Sequence, residues 1–438
     1  MPLLHECWLL LFPWASAGKK SQARRAGHAL CWMALFALAW WHNGAAELQE
    51  RLVSPWPWLH AGWLPFVVVL AYGAGGLFAG LQRHTGTRAP AHAFDGIDEA
   101  WLEILAALRQ AQLDPAYLPI FLILGRPAHG VKALWEAAGL HSAVPPTPAG
   151  PAAPFCVTAS RGAIFIWCGS LTGLGQTASS LGDISARQMR LRFEVLLHHL
   201  AELREPYCPI NGILALAPFA AAESEASAAL VRDQCQQDAQ QVRMFLGVEC
   251  PATLLIGDCD NDPGFRDLLE RLSETNRWQA LGQRFPLMPD VDPHEVGPLL
   301  AHGVTWFCRQ RLPGLVYEQM RCAESSVARN RRLAAWLAQM HARAEHFASW
   351  ATALAPRDRA APPLVTGCFF AGTGATPAAQ GCVGGAFKML LDQQDHVAWA
   401  PGPLRREALC RRWTRWAVCS AAAALLLVVA GLFVEWVR

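Results

Sequence analysis

The chain has 438 residues, of which 53% are apolar and 16% charged, with a formal net charge of +2. That length exceeds one ordinary domain, and so low a charged fraction points toward membrane contact. A charge this near balance, with no basic stripe interleaved with stacking aromatics, argues against nucleic acid as a partner.

Residues 1–25 read as a cytoplasmic N-terminal segment, followed by the first of three apolar stretches that approach the length a bilayer demands. Gly27 to Trp41 is strongly apolar but short, and a transmembrane helix over 26–46 needs His28, His42 and Asn43 at the interfaces. No small-residue cleavage site follows it, which disfavours a signal peptide. The second stretch, 58–81, runs from Trp58 to Leu81 without a formal charge, and Gly73, Gly75, Gly76 and Gly80 would admit a close-packed neighbour. The third, 416–436, holds the block Leu425-Leu426-Leu427-Val428-Val429. Lys19, Lys20, Arg24 and Arg25 precede the first stretch, Arg83 and Arg88 follow the second, and Arg405, Arg406, Arg411, Arg412 and Arg415 precede the third. This asymmetry predicts three spans with the bulk of the chain on the cytoplasmic side.

Between Gln82 and Arg415 there is chain enough for a buried core and two subdomains. Strand candidates are Tyr117 to Leu124, Ala163 to Trp167, Gly212 to Ala217 and Ala252 to Ile256. Helical patterns at Lys132 to Ala138, Ala186 to Leu203 and Ala222 to Leu246 separate them, and this alternation predicts a parallel sheet flanked by helices over 92–290. From 291 to 414 the texture is mainly helical, most evidently at Glu318 to Leu354, where Leu333, Leu337, Met340, Ala344 and Phe347 make a core stripe. Pro145 to Pro154 and Pro362-Pro363 mark loops. The 14 cysteines form no Cys-x-x-Cys pair and no paired Cys/His ligand spacing, so they read as small buried hydrophobes in a reducing compartment.

A phosphate-binding loop needs a strand, a glycine-rich turn and a helix, so that backbone N–H groups face the phosphates while a lysine neutralises them. Gly125-Arg126-Pro127-Ala128-His129-Gly130 supplies the two glycines after a strand. The following residues are Val131 and Lys132, where the motif requires Lys and then Ser or Thr. Lys132 therefore comes one residue late, a rotation of about 100° on a helix, and Ala133 has no hydroxyl for Mg²⁺. A metal-directed Asp is missing after Ile164-Phe165-Ile166-Trp167-Cys168-Gly169-Ser170. Of a guanine-reading signature after Leu254-Leu255-Ile256, the segment Gly257-Asp258-Cys259-Asp260 keeps only Asp260. The candidate cofactor-binding residues are thus Gly125, Gly130, Lys132 and Asp260, a degenerate nucleotide site.

In order and spacing, these positions resemble the IcmF/TssM family of type VI secretion. Arg204-Glu205-Pro206-Tyr207-Cys208-Pro209-Ile210-Asn211-Gly212 is similar to the family's Arg-x-x-x-Pro-x-Asn-Gly segment, with the Arg spacing approximate. Asp262-Pro263-Gly264-Phe265 and Leu364-Val365-Thr366-Gly367-Cys368-Phe369-Phe370 match later motifs, Thr366 standing where Arg is usual, and Phe387 to Leu391 stands for the helix before the third span. The resemblance implies an α/β P-loop NTPase-like cytoplasmic domain plus a helical extension, with three transmembrane helices. It also implies residence in the bacterial inner membrane as a multi-pass protein and a scaffold role in a secretion membrane complex. The partners implied are the small inner-membrane component, baseplate proteins on the cytoplasmic side and further copies of the chain. Family members continue past the third span into a periplasmic region, so a chain stopping at Arg438 is expected to be a shortened form.

With the nucleotide signature lost at three places, the expectation is a pseudo-NTPase without catalytic residues or cofactor. The alternative is an atypical NTPase using ATP or GTP with Mg²⁺, in which a rearranged loop brings Lys132 to the phosphates. A transporter lacks charged residues inside its spans. His198-His199 lacks co-ligands for a metal, and Ser160, Ser170 and Cys208 have no evident base.

Overall fold

The computed structural model describes residues 95–150, 153–176, 186–205, 207–287, 293–322, 326–356 and 364–400, with isolated positions at 37, 40, 41, 404 and 412. The chain divides into two compact units, 89–403 and a second made of 1–88 with 404–438. The first of these holds the sheet.

Helix α1 (Asp95–Gln110) turns Ile97, Trp101, Ile104 and Leu108 inward at helical spacing. All five apolar residues of β1 (Ile120–Leu124) are buried, as a strand covered on both faces requires. The chain continues through α2 (Gly130–Ala138), β2 (Val144–Thr147), β3 (Cys156–Ala159), β4 (Ile164–Trp167), α3 (Ala186–Arg204) and β5 (Gly212–Pro218). Helix α4 (Glu225–Leu246) starts where the Ser224 side chain accepts the Ser227 N–H at 3.2 Å, and ends at Gly247 in the left-handed region, φ 65°. Next come β6 (Val248–Glu249), β7 (Ala252–Gly257), α5 (Pro263–Arg271), α6 (Glu274–Trp278) and β8 (Leu281–Arg284).

A helical run follows, α7 (Pro293–Trp306), α8 (Leu312–Cys322), α9 (Val327–Ala342) and α10 (Ala344–Ala353). Between α7 and α8 the backbone widens into a π turn, Phe307–Arg311. Pro313 accounts for it, because it has no N–H to give the Arg309 carbonyl and its ring would crowd that oxygen. The chain closes with β9 (Val365–Phe370), β10 (Gly372–Thr373), β11 (Gln380–Gly381), α11 (Gly384–Asp392) and β12 (Ala398–Trp399).

Eight strands form one mixed sheet in the order β2-β3-β4-β1-β5-β7-β9-β8. The middle five, β4, β1, β5, β7 and β9, are parallel; β2 and β3 at one edge and β8 at the other run antiparallel to their neighbours. Side chains alternate between the two faces along each strand. From β1, Ile120, Leu122 and Leu124 enter the larger core with Phe193, Leu196, Trp336 and Phe347, whereas Phe121 and Ile123 enter a smaller one with Leu134, Trp135, Phe387 and Leu390. Helices α2 and α11 therefore cover one face and the remaining large helices the other.

The strand candidates in the first half correspond to β1, β4, β5 and β7, shortened at Tyr117 to Pro119. Pro145 to Pro154, expected as loop, includes most of β2; an edge position tolerates Pro145 and Pro146 because one side of the strand needs no partner. The stretch Glu318 to Leu354, expected to be helical, is divided among α8, α9 and α10, with Ser326 extended (φ −70°, ψ 134°) before α9 and Arg343 (φ −90°, ψ 0°) between α9 and α10.

The expected fold class needs correction. The structure shows a mixed α/β sheet of eight strands with helices, and three transmembrane helices are not supported: among the described residues no helix is long and apolar enough to cross a membrane. The physical reason is clear in α3 and α4, which have the length, at 19 and 22 residues. Arg187, Arg190, Arg192 and Glu194 in the one, and Glu225, Arg232, Asp233, Asp238 and Arg243 in the other, are more charge than a helix crossing a bilayer carries, and mark them as helices of a globular body. The segments named as spans, 26–46, 58–81 and 416–436, lie outside the described residues apart from positions 37, 40 and 41.

Candidate functional site

The candidate residues gather at the carboxyl ends of the parallel strands, where open α/β sheets present their loops. Gly125 directly follows β1 with φ +104°, and a Cβ there would lie 2.3 Å from the Leu216 carbonyl oxygen of β5. Only glycine fits. Its N–H donates to Thr172 Oγ1 at 3.3 Å, and a Cβ on Gly169 would meet the Gly125 carbonyl oxygen at 2.8 Å. The turns after β1 and β4 are therefore locked together. Gly130 opens α2 with φ +81° in open space, its N–H donating to the Pro127 carbonyl at 3.2 Å.

Lys132 is the third residue of α2, with its side chain 83% exposed, and its Nζ stands 3.9 Å from Glu136 Oε1 one turn on. The sequence offset of this lysine thus corresponds to a solvent-facing pair. His129, at the N-cap of α2, makes no capping hydrogen bond with its side chain.

Asp260 is 5% exposed, and its Oδ1 accepts the Thr373 N–H at 2.9 Å. That carboxylate anchors the end of β10. Its neighbour Asp258 adopts the left-handed region, φ 60°, where its N–H donates to Thr373 Oγ1 at 3.0 Å and its Oδ1 accepts the Thr373 hydroxyl at 2.6 Å. Burial raises the Asp258 carboxyl above the ordinary carboxylate range, with Asp260 adding to the rise; the Thr373 hydroxyl, the His129 ring and the Ala128 N–H oppose it. The glycine loop thus meets a carboxylate of its own chain. Of the four candidates, Gly125 and Gly130 frame the loop, Asp260 is tied to β10, and Lys132 is directed to Glu136. Asp258, Thr373 and Thr172 were not marked by the sequence, and nothing local distinguishes them.

Other motif residues have structural partners. Arg204 Nη1 donates to Asn211 Oδ1 at 2.7 Å; that oxygen also accepts the Ile120 N–H at 3.1 Å, and Asn211 Nδ2 donates to the Gln394 carbonyl at 3.0 Å. This network sits at the amino ends of β1 and β5, away from the glycine loop. Gly264 lets α5 meet α9, since a Cβ would fall 2.4 Å from the Arg332 carbonyl oxygen. The same crossing holds Phe265 edge-on to Trp336 and Asp267 in a two-point pair with Arg332 at 2.6 and 3.0 Å. Thr366 Oγ1 lies 2.5 Å from Thr253 Oγ1.

His199 Nε2 lies 2.8 Å from Asp98 Oδ1 with its ring stacked on Trp101, and His198 Nε2 lies 3.1 Å from Glu202. Among the described residues no group of three or more His, Cys, Asp or Glu is placed to hold a metal. Ser160 Oγ accepts the Gly162 and Ala163 N–H groups, a turn-forming arrangement. Nine described cysteines are free, and burial pushes thiols such as Cys156, Cys250 and Cys382 up to about 12.

The site is therefore a glycine-lined strand-to-helix turn on a mixed α/β body, with its polar groups turned to internal partners. Residues 187–399 match a family profile described as the IcmF-related N-terminal domain, which supports the IcmF family for this part of the chain, from α3 to β12. Gly125, Gly130 and Lys132 precede the matched stretch, while Asp260 lies within it. No curated protein and no solved structure gives a match.

Proposed function

We propose that the chain is a structural component of a type VI, or related, IcmF-like secretion apparatus, a TssM-like scaffold whose α/β body does not hydrolyse nucleotide. The IcmF-related stretch supports a secretion role and suggests membrane association. The observation that carries the scaffold reading is the engagement of both charged candidates elsewhere: Lys132 with Glu136 in solvent, Asp260 with the Thr373 backbone. Phosphoryl transfer rests on positioned charge and metal at the phosphates. In this reading the chain works at the bacterial inner membrane with the small inner-membrane component, baseplate proteins and further copies of itself.

Two experiments test this. The tagged full chain, extracted in mild detergent, should co-purify with secretion components, and its deletion should stop secretion; recovery alone with secretion intact would overturn the scaffold role. Equilibrium binding of labelled ATP and GTP with Mg²⁺ should show no saturable site, and saturable binding abolished by Lys132→Ala would restore the NTPase alternative.

A further inference from the structure

Asp238 lies within the polar run Gln236-Gln237-Asp238-Ala239-Gln240-Gln241, where it reads as one more exposed residue. Helix α4 instead turns it inward beside Cys235, Ala239 and Val242, and it is 5% exposed. A buried carboxylate needs hydrogen-bond donors. Both of its oxygens find one: Oδ1 accepts the Gly173 N–H and Oδ2 the Leu174 N–H, each at 3.0 Å. These amides open the short 3₁₀ turn Gly173–Gly175 that follows β4.

The turn is pressed close on α4, since a Cβ at Gly173 would stand 3.1 Å from Gln234 Cγ and 3.5 Å from Asp238 Oδ1. It also carries Thr172, whose Oγ1 receives the Gly125 N–H. Gly175 lies over the Gly169 carbonyl, and Gly169 over the Gly125 carbonyl. A continuous set of contacts therefore runs from the middle of α4 to the glycine loop after β1.

We propose that Asp238 is an acid-released latch: as a carboxylate it holds the Gly173 and Leu174 amides and, through Thr172, the Gly125 loop, and on protonation it lets one amide go. The proton comes from solvent and adds to one carboxylate oxygen. The protonated oxygen becomes a hydroxyl, a poorer acceptor that carries a donor of its own, so the hydrogen bond to that oxygen is weakened and its amide released while the other remains. The charged and titratable groups facing Asp238 among the described residues are Arg190 of α3, Cys168 at the end of β4 and Cys235 one turn back on α4. Burial keeps both thiols protonated, which leaves Arg190 as the charge that favours the carboxylate.

Burial lifts the Asp238 carboxyl from 3.8 to about 6, against the pull of the two amides and Arg190, so release falls in mildly acid solution. Between those two values the folded chain holds a proton that the unfolded chain has lost. This group therefore adds stability as pH falls through that window, and acid opens the turn without unfolding the body through Asp238. The latch is independent of the scaffold reading.

Hydrogen exchange on the full chain, corrected for intrinsic chemical exchange, tests it in peptides covering 168–176 and Gly125. Going from pH about 7.5 to about 5, protection at Gly173 and Leu174 should fall about tenfold, roughly the worth of one such hydrogen bond. Asp238→Asn, with one acceptor oxygen, should show the low value at both pH values. Protection unchanged in the wild type, or the wild-type pH response retained in Asp238→Asn, would overturn the proposal. Thr172→Val keeps Asp238 intact and covers the case in which Asp238→Asn fails to fold. It should retain the pH response at Gly173 and Leu174 while removing it at Gly125; a Gly125 response that persists sinks the coupling.

Discussion

The two ends of the parallel strands are held by different means. At the carboxyl ends, turns approach so closely that glycines are required, and each is steadied by a hydroxyl or carboxylate from a distant part of the chain: Thr172 under Gly125, Thr373 between Asp258 and Asp260. At the amino ends of β1 and β5 one side chain, Asn211, takes Arg204 and the Ile120 N–H on its oxygen and gives its nitrogen to the Gln394 carbonyl. One end depends on space, the other on a hydrogen-bond hub. A nucleotide-binding face would require its glycines for an outside ligand, whereas here Gly125 is required by the Leu216 carbonyl inside the sheet.

Substitution at Gly125 should break the carboxyl end most severely. Gly125→Ala brings a Cβ to 2.3 Å from backbone in a conformation that side chains rarely adopt, and neither obstacle can yield without moving β5. We expect a loss of about 3 kcal/mol or more in chemical denaturation. If the loss is below about 1 kcal/mol, the close approach of β1 and β5 is not what fixes that glycine.

The amino end should lose somewhat less. Asn211→Ala strips an acceptor from the buried Arg204 guanidinium and from the Ile120 amide together, at an expected cost of about 2–3 kcal/mol. Arg204→Leu in the Asn211→Ala background should recover part of it, because the stranded charge is removed along with its partner. A double variant no more stable than Asn211→Ala would show that the hub acts through packing alone.

Gly130→Ala sharpens the contrast within the glycine loop. It shares a positive φ, +81°, with Gly125 but has open space around its Cβ position. Only the backbone penalty applies, about 1 kcal/mol. Equal losses at the two glycines would mean that conformation, not crowding, governs both.

How much of this could be read from the chain follows from the distance between partners. Ile120–Leu124 and Ile164–Trp167 announce themselves as continuous apolar runs, since a strand covered on both faces needs no polar alternation. Strand β2 hides behind Pro145 and Pro146, residues that ordinarily speak against a strand. Gly125 and Gly130 were legible because a strand-to-helix turn is a local feature. Asp258 with Thr373 and Asp238 with Gly173 were not, being 115 and 65 residues apart in the chain. The Arg204 to Gly212 segment was visible as a motif, but its work as a hub became clear only once Gln394 stood beside Asn211. The apolar stretches read as spans lie outside the described residues, and the described helices of comparable length carry too many charges to cross a membrane.

The smallest effect separates the scaffold reading from the NTPase alternative. In a nucleotide site the loop lysine is held over the glycine loop and directed at the phosphates, so removing it abolishes binding. Lys132 has neither property: its side chain is 83% exposed and its partner, Glu136, is 3.9 Å away on the same helix. Such pairs are screened by water and contribute little, so Lys132→Ala should lie within about 0.5 kcal/mol of the parent in denaturation. Its thermal midpoint should respond to Mg²⁺ with ATP or GTP no differently from the parent's. A parent stabilised by nucleotide and a variant that is not would mean the loop rearranges around Lys132, and that the carboxyl ends of the strands keep a ligand site after all.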